Sequence, residues 1–248
     1  MAAMAAMAAL AGMAMAAQAV AATPAPAAKA ARAPTVDQLI AFRGDDVVRK
    51  RVPAAAATVE VGRRRCGVAR GTPLAALLRA RPGEIGLVDF GSCTRRARDG
   101  GQLFVRSIRG ERNRGRSGWV YKVGHRLGSA GAADPAGPFG RGRLRGGQRV
   151  TWFYCLMRGR SCQRTLELKT TALAAGNLRV EVHGYDDEGR GSAVPGASVA
   201  AGPFPEVETD ASGRAIVSAA GGLPAGRYAV SAEKPGFVPA FEEAITVR

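Results

Sequence analysis

Apolar and polar residues alternate with a period of two along most of the chain. Asp46–Val52, Thr58–Val61, Arg65–Val68, Ile85–Phe90 and Leu103–Ile108 each read as short strands. Two aromatic runs, Trp119-Val-Tyr-Lys-Val123 and Val150-Thr-Trp-Phe-Tyr154, carry the strongest strand signal, because aromatic and β-branched side chains pack well on a pleated surface. A long loop of Gly, Ala, Pro and Arg separates them, and loops of that length often carry function. The period changes once. Thr72 can cap a helix, Pro73 suits its first turn, Leu74, Leu77 and Leu78 share a face, and Pro82-Gly83 ends it. Thr165–Lys169 closes this unit as a strand. From Leu178 onward, Leu178–Val182, Ser198–Ala200, Ala215–Ser218 and Arg227–Ser231 alternate between turns spaced near ten residues, the pattern of a β-sandwich. The pattern therefore predicts a mainly β protein: a small β-rich domain with one short helix, then a sandwich.

The N-terminal stretch differs. Met1–Ala21 is apolar or Gly/Gln throughout, and Ala19-Val20-Ala21 before Ala22 fits a small-residue cleavage site, so 1–21 reads as a signal peptide. It lacks the usual positive start. Residues 22–45 read as an Ala/Pro-rich linker. The remaining boundaries fall at 46–170 for the first domain and 171–248 for the second. No segment after the signal is apolar enough to span a bilayer.

Charge sharpens the division. The chain carries a net charge of +16, with 31 Arg against 5 Lys, a bias suggesting a GC-rich bacterial genome. Thr58–Thr170 holds 24 basic and 7 acidic residues, whereas Thr171–Arg248 holds 6 and 10. Two units with opposite surfaces are expected, and the basic one should attract polyanions. Cys66, Cys93, Cys155 and Cys162 all lie in the basic unit. An even count behind a secretion signal implies disulfides. Four cysteines allow three connectivities, of which Cys66–Cys93 and Cys155–Cys162 is favoured, the second closing a short arginine-rich turn. Spacings of 27, 62 and 7 residues do not supply the close ligand pairs that zinc requires.

Thr72-Pro-Leu-Ala-Ala-Leu77, Gly118-Trp-Val-Tyr-Lys-Val-Gly124 and Gly146-Gly-Gln-Arg-Val-Thr-Trp-Phe-Tyr154 give residues 58–168 a resemblance to the transcobalamin-like C-terminal domain family of secreted bacterial proteins. Gly124 stands where that family usually has Asn, and Gly147-Gln148 replaces its Gly-Asp pair. The resemblance implies a cobalamin-type ligand, although the separate helical domain that holds most of the vitamin in eukaryotic carriers has no counterpart in this sequence. Val194-Pro-Gly-Ala-Ser-Val199, Thr209–Ala215 and Pro224–Phe237 make residues 178–247 similar to carboxypeptidase-regulatory-like modules. That resemblance implies an Ig-like/transthyretin-like β-sandwich serving as spacer or adhesive stalk.

No catalytic set is assembled. The histidines, His125 and His183, fall in different units, and neither a Gly-x-Ser-x-Gly elbow nor a His-Glu-x-x-His helix is present. Asp186-Asp187-Glu188 reads as a solvated turn before Gly189. The chain is read as non-enzymatic, with no cofactor required by its residues. Alternation places Trp119 and Tyr121 on one strand face, and Trp152 with Tyr154 on one face of the other. If the strands pair, four rings form a patch near Arg143 and Arg145, suited to flat or anionic ligands. The favoured alternative is that the same rings are simply the core of a small domain poor in other large residues, since cross-strand aromatic pairs commonly stabilise sheets. Further basic clusters are Arg63-Arg64-Arg65, then Arg95, Arg96 and Arg98, then Arg112, Arg114 and Arg116, and Arg141. Two functions are expected. One is a secreted or cell-surface binding protein that docks a small-molecule or anionic surface ligand on 118–154. The other is a structural or adhesive envelope protein holding anionic wall polymers by its basic face. Export disfavours nucleic acid, and the sequence leaves ligand and oligomeric state open.

Overall fold

Thr35–Ala41 (β1) lies inside the stretch expected to be linker, yet it is a central strand with Val36, Leu39 and Ile40 fully buried. The structure, a computed structural model, describes residues 32–44, 46–173, 176–219 and 221–248. The expected signal peptide, residues 22–31 of the expected linker and residue 45 lie outside them. β1 pairs antiparallel with Val47–Pro53 (β2) and parallel with a strand more than a hundred residues later. A strand buried on both faces reads as a nearly continuous apolar run, so Leu39-Ile40-Ala41 shows no clean alternation.

The next elements follow the sequence pattern. Ala57–Val61 (β3) and Arg64–Val68 (β4) form a hairpin. Pro73–Ala80 (α1) is capped by Thr72, whose Oγ1 accepts from the Ala75 backbone N–H at 3.2 Å, and ends at Arg81 with φ of 49°. Its Leu74 and Leu77 are fully buried. Ile85–Asp89 (β5), Leu103–Ile108 (β6) and Glu111–Arg112 (β7) make a small sheet. Gly118–Val123 (β8), Arg126–Leu127 (β9) and Arg149–Cys155 (β10) complete the main sheet, in the order β2-β1-β10-β8-β9.

Thr165–Ala172 (β11) corrects the expected boundary at residue 170. It runs through that point and pairs along its whole length with Leu178–Tyr185 (β12). It thus opens the C-terminal half and does not close the first. Gly191–Ala193 (β13) continues that sheet, and Ser198–Ala201 (β14) with Val207–Glu208 (β15) begins another. Arg214–Val217 (β16) returns to β12, while Gly226–Glu233 (β17) and Glu243–Val247 (β18) finish the order β15-β14-β17-β18. Both sheets feed one core, with Val180 and Val182 from one and Val199, Val230 and Ala232 from the other. The described chain is mainly β, built from several separate sheets and one short α-helix. No helix among the described residues is long and apolar enough to cross a membrane.

The main sheet is buried on both faces. Val36, Ile40, Trp119, Tyr121, Trp152 and Tyr154 join Leu74 and Leu77 in the core of the N-terminal half. The opposite face carries Leu39, Ala41, Phe153 and Cys155, which pack with Val238 and Phe241 of the C-terminal half. Lys122 lies on this second face, fully buried. Its Nζ donates to the carbonyls of Tyr185 at 3.0 Å and Asp186 at 2.8 Å, and pairs with Asp187 Oδ1 at 3.6 Å. Burial pushes the ammonium below its ordinary value, and Asp187 opposes that shift. The reading of Asp186-Asp187-Glu188 as a purely solvated turn is therefore corrected at one position. Asp187 also accepts from the Cys162 backbone N–H at 3.0 Å and so ties the two halves together. Asp186 keeps the turn role, its carboxyl held near 2 by Arg190.

Candidate functional site

The antiparallel register sets Trp152 opposite Tyr121 and Tyr154 opposite Trp119, so the four rings share a face as alternation implies. Trp119 and Tyr154 meet edge to face at 6.0 Å, and Tyr121 lies 5.2 Å from Trp152. The face is not a surface. Trp119, Tyr121, Trp152 and Tyr154 are 3%, 6%, 1% and 3% exposed. The assignment of Trp119, Tyr121, Trp152 and Tyr154 to ligand binding is corrected to the core reading, because α1 and the segments before β8 and β10 pack against that side of the sheet. These rings are the largest side chains of that core. A cavity of about 120 Å³ remains beside them, lined by Trp119, Tyr121 and Trp152 with exposed Phe104 nearby. That is well under the several hundred Å³ typical of pockets for cofactor-sized ligands.

The polar tips of three of the four rings have a definite job, whereas Trp152 Nε1 is buried without a partner. Trp119 Nε1 donates to the Glu111 carbonyl at 2.8 Å, and the Tyr154 hydroxyl to the Arg112 carbonyl at 2.9 Å. Tyr121 donates to the carbonyls of Ala130 at 2.7 Å and Pro138 at 3.1 Å. Each bond pins the backbone of β7 or of the 128–148 loop, both of which carry arginines.

Burial, then the nearby Asp134, pushes the Tyr121 phenol up from its ordinary 10.0. Its folded value is thus higher than its unfolded value. The hydrogen-bonded phenol stabilises the fold fully below pH 10.0 and loses that contribution as pH rises through the raised value. Tyr121→Phe is expected to cost about 1–2 kcal/mol at neutral pH, with the gap to wild type narrowing above pH 10.0. Urea titrations of both proteins across that range check this, and a gap that widens contradicts it.

Arg143 and Arg145 lie on the surface of the 128–148 loop, apart from the buried rings. Arg143 Nε donates to the Pro135 carbonyl at 2.8 Å, and the Arg145 backbone N–H to Gln148 Oε1 at 2.8 Å. The loop is anchored through buried Leu144, whose N–H donates to the Gly71 carbonyl at 2.8 Å.

Two other loops are organised by disulfides, with the pairing expected from sequence: Cys66–Cys93 and Cys155–Cys162. The first joins the β4 strand to the 91–96 loop, where the Gly67 N–H donates to the Thr94 carbonyl at 2.7 Å. This shoulder presents exposed Arg63, Arg65, Arg95 and Arg96, while Arg64 pairs with buried Asp89 at 3.2 Å. The second bridge closes the arginine-rich turn expected from sequence, and its Arg158 and Arg160 are exposed, although they stand outside the basic clusters named above. The signal for them was a repeat: Arg-Gly-Arg-Ser occurs at 114–117 and again at 158–161. Among the described residues, none of Arg112, Arg114, Arg116, Arg158 and Arg160 is ion-paired to a carboxylate, in contrast to Arg43, Arg64 and Arg109.

At the seam between the halves, His125 stacks on Tyr185 at 3.6 Å and places Nε2 3.4 Å from Glu167. A cavity of about 270 Å³ opens there, lined by Arg149, Gln148, Phe139 and Phe241. Arg149 already pairs with Glu167 and Glu243. The two halves thus contribute jointly to a histidine environment that the sequence placed in one unit alone. No group of three or more His, Cys, Asp or Glu among the described residues is arranged to hold a metal ion. No family model, curated protein or solved structure matches this chain.

Proposed function

We propose that this is an exported, non-catalytic binding protein that holds anionic polymer through the arginines of its N-terminal half. The observation that carries this reading is the set of exposed guanidinium groups without carboxylate partners, set on loops whose backbones are fixed. A soluble basic face normally intersperses both signs of charge. Here the acids near the basic loops are engaged: Glu111 by Arg43, Asp89 by Arg64 and Asp99 by Arg98. Export is supported by the character of Met1–Ala21 and by two disulfides, which persist in oxidising compartments. The C-terminal half, in this reading, is an Ig-like/transthyretin-type sandwich of the carboxypeptidase-regulatory-like kind. Two sheets sharing one core support that, as does the acidic balance of the half. Its role is to display the basic half.

Retention on a sulfated matrix is expected at low salt and should fall steeply with ionic strength, with a log–log slope of roughly one per anion neutralised. Salt-gradient elution measures the slope. Failure to bind in dilute buffer, or retention that persists undiminished in concentrated salt, removes this reading. A second reading, a small apolar ligand beside Trp119 and Trp152, draws on the cavity of about 120 Å³. A melting-temperature rise with small aromatic probes, abolished by filling the cavity, would favour it.

A further inference from the structure

The repeated tetrapeptide forms two copies of one structure. In each, the outer residues exchange both backbone hydrogen bonds: Arg114 with Ser117 at 2.9 and 3.0 Å, and Arg158 with Ser161 at 3.0 and 3.2 Å. Gly115 and Gly159 take φ of 56° and 62°, the left-handed region needed at the first central position of such a turn. Each turn therefore holds its second central arginine, Arg116 or Arg160, in the same local setting.

The fold brings the copies together. β8 begins at Gly118 and β10 ends at Cys155, and these two residues face each other in the antiparallel register. One turn precedes β8 and the other follows β10, so both emerge from the same end of the sheet. They are joined there: Arg116 Nη2 donates to the Gly159 carbonyl at 3.0 Å, and the Met157 N–H to Ser117 Oγ at 3.1 Å. The first turn is braced by Asn113, which accepts from the Trp119 N–H at 2.8 Å. The second is braced by the Cys155–Cys162 bridge. Two acids near this end are already engaged, Glu111 by Arg43 and Asp187 by Lys122 at the seam, while exposed Glu233 shares the adjoining groove with Lys234. A groove of about 400 Å³ continues from Arg158, lined by Arg43, Gln163, Lys234 and Glu233.

We propose that the twin turns and this groove form one site for a linear glycan bearing tetrahedral oxyanion esters, sulfate or phosphate, along its length. This rests on the polyanion reading above and names the site within it. The guanidinium fork matches two oxygens of such a group at once, which an ammonium cannot do. Arg114, Arg158 and Arg160 contact the ligand, and Arg116 is a positioning residue that couples the turns. A glycan fits better than single-stranded nucleic acid, because stacking of bases requires exposed rings: the four sheet rings are core, the exposed pair Phe90 and Phe104 does not line the groove, and Phe42 and Phe237, which do, are half-buried. It fits better than a membrane, because one large apolar side chain, Leu156, is exposed beside the turns.

The test compares two variants of the full chain that lose equal charge. One is Arg114→Gln/Arg158→Gln/Arg160→Gln in the turns, and the other is Arg63→Gln/Arg65→Gln/Arg95→Gln on the shoulder. Affinity is measured for dextran sulfate, dextran phosphate, polygalacturonate, single-stranded DNA and phosphatidylserine vesicles. The turn variant is expected to lose more than about ten-fold on either ester polymer, and the shoulder variant less than about three-fold. Ester polymers should outbind polygalacturonate, and the relative affinity for sulfate and phosphate esters identifies which is preferred. Equal losses in the two variants overturn the site while leaving the polyanion reading intact. Absence of wild-type binding to every polyanion overturns both. Tighter binding to DNA or vesicles than to the ester glycans overturns the ligand class. Should the turn variant fold poorly, guanidine-selective dicarbonyl labelling of the wild-type protein decides the matter. Dextran sulfate is expected to protect Arg114, Arg158 and Arg160 and to leave Arg63 and Arg95 reactive; the converse pattern refutes the site.

Discussion

Lys122→Met lowers the unfolding free energy by about 3–5 kcal/mol, the usual cost of removing one partner from a buried ion pair. The ammonium is fully buried and serves the carbonyls of Tyr185 and Asp186 together with the Asp187 carboxylate. Without it, two carbonyls lose their donor and Asp187 keeps a charge with one backbone N–H, from Cys162, to balance it. The loss falls at the seam, so proteolysis or hydrogen exchange should show looser contact around Phe153, Val238 and Phe241 before either core opens. Adding Asp187→Asn should restore part of the loss, since the amide oxygen still accepts from Cys162 and no charge is stranded. Chemical denaturation of the two single variants and the double variant measures the coupling, expected within about 0.5–3 kcal/mol. Strict additivity would mean that the pair does not hold the halves together.

Removing the Cys66–Cys93 bridge as Cys66→Ala/Cys93→Ala costs about 3.5 kcal/mol from loop-closure entropy across a separation of 27 residues. Removing Cys155–Cys162, across 7 residues, costs about 2.5 kcal/mol by the same reasoning. Cys66 and Cys93 are both buried, Cys66 in one core with Val68, Leu74 and Leu103, so truncation adds a packing loss at two positions, whereas in the second bridge only Cys155 is buried and half-buried Cys162 adds little. The functional ranking should be the reverse. The shoulder arginines can lose order without disturbing the twin turns, but opening the 155–162 loop frees Arg158 and Arg160. Melting curves and dextran sulfate affinities of the two variants provide the comparison. A larger stability loss from the shorter loop would show that strain or denatured-state structure outweighs chain entropy.

The strands on either side of the helix and the helix itself were legible because each depends on local chemistry. Thr72 and Pro73 start a helix wherever they stand before an apolar run. A period of two marks a half-buried strand regardless of its neighbours. β1 was illegible because its neighbours bury both faces, which erases alternation, and because Ala/Pro composition upstream coloured the whole segment. β11 was legible as a strand but not as a partner of β12, since pairing is chosen across the chain. At the candidate site, the sharing of a face by Trp119 and Tyr121, and by Trp152 and Tyr154, followed from the period. Whether that face meets water did not follow, because it depends on what α1 and the loops cover.

By itself the sequence determined the mainly β character, the single short helix, the arginine-rich half and the chemistry available to it. Those properties are set by side-chain period, capping residues and charge, which act over a few positions. Tertiary structure alone decided that the aromatic layer is buried, that Lys122 is sealed at a seam, and that two distant Arg-Gly-Arg-Ser turns stand side by side. Each of these outcomes depends on the register of β8 against β10 and on which surfaces close over the sheet, and non-local packing selects both.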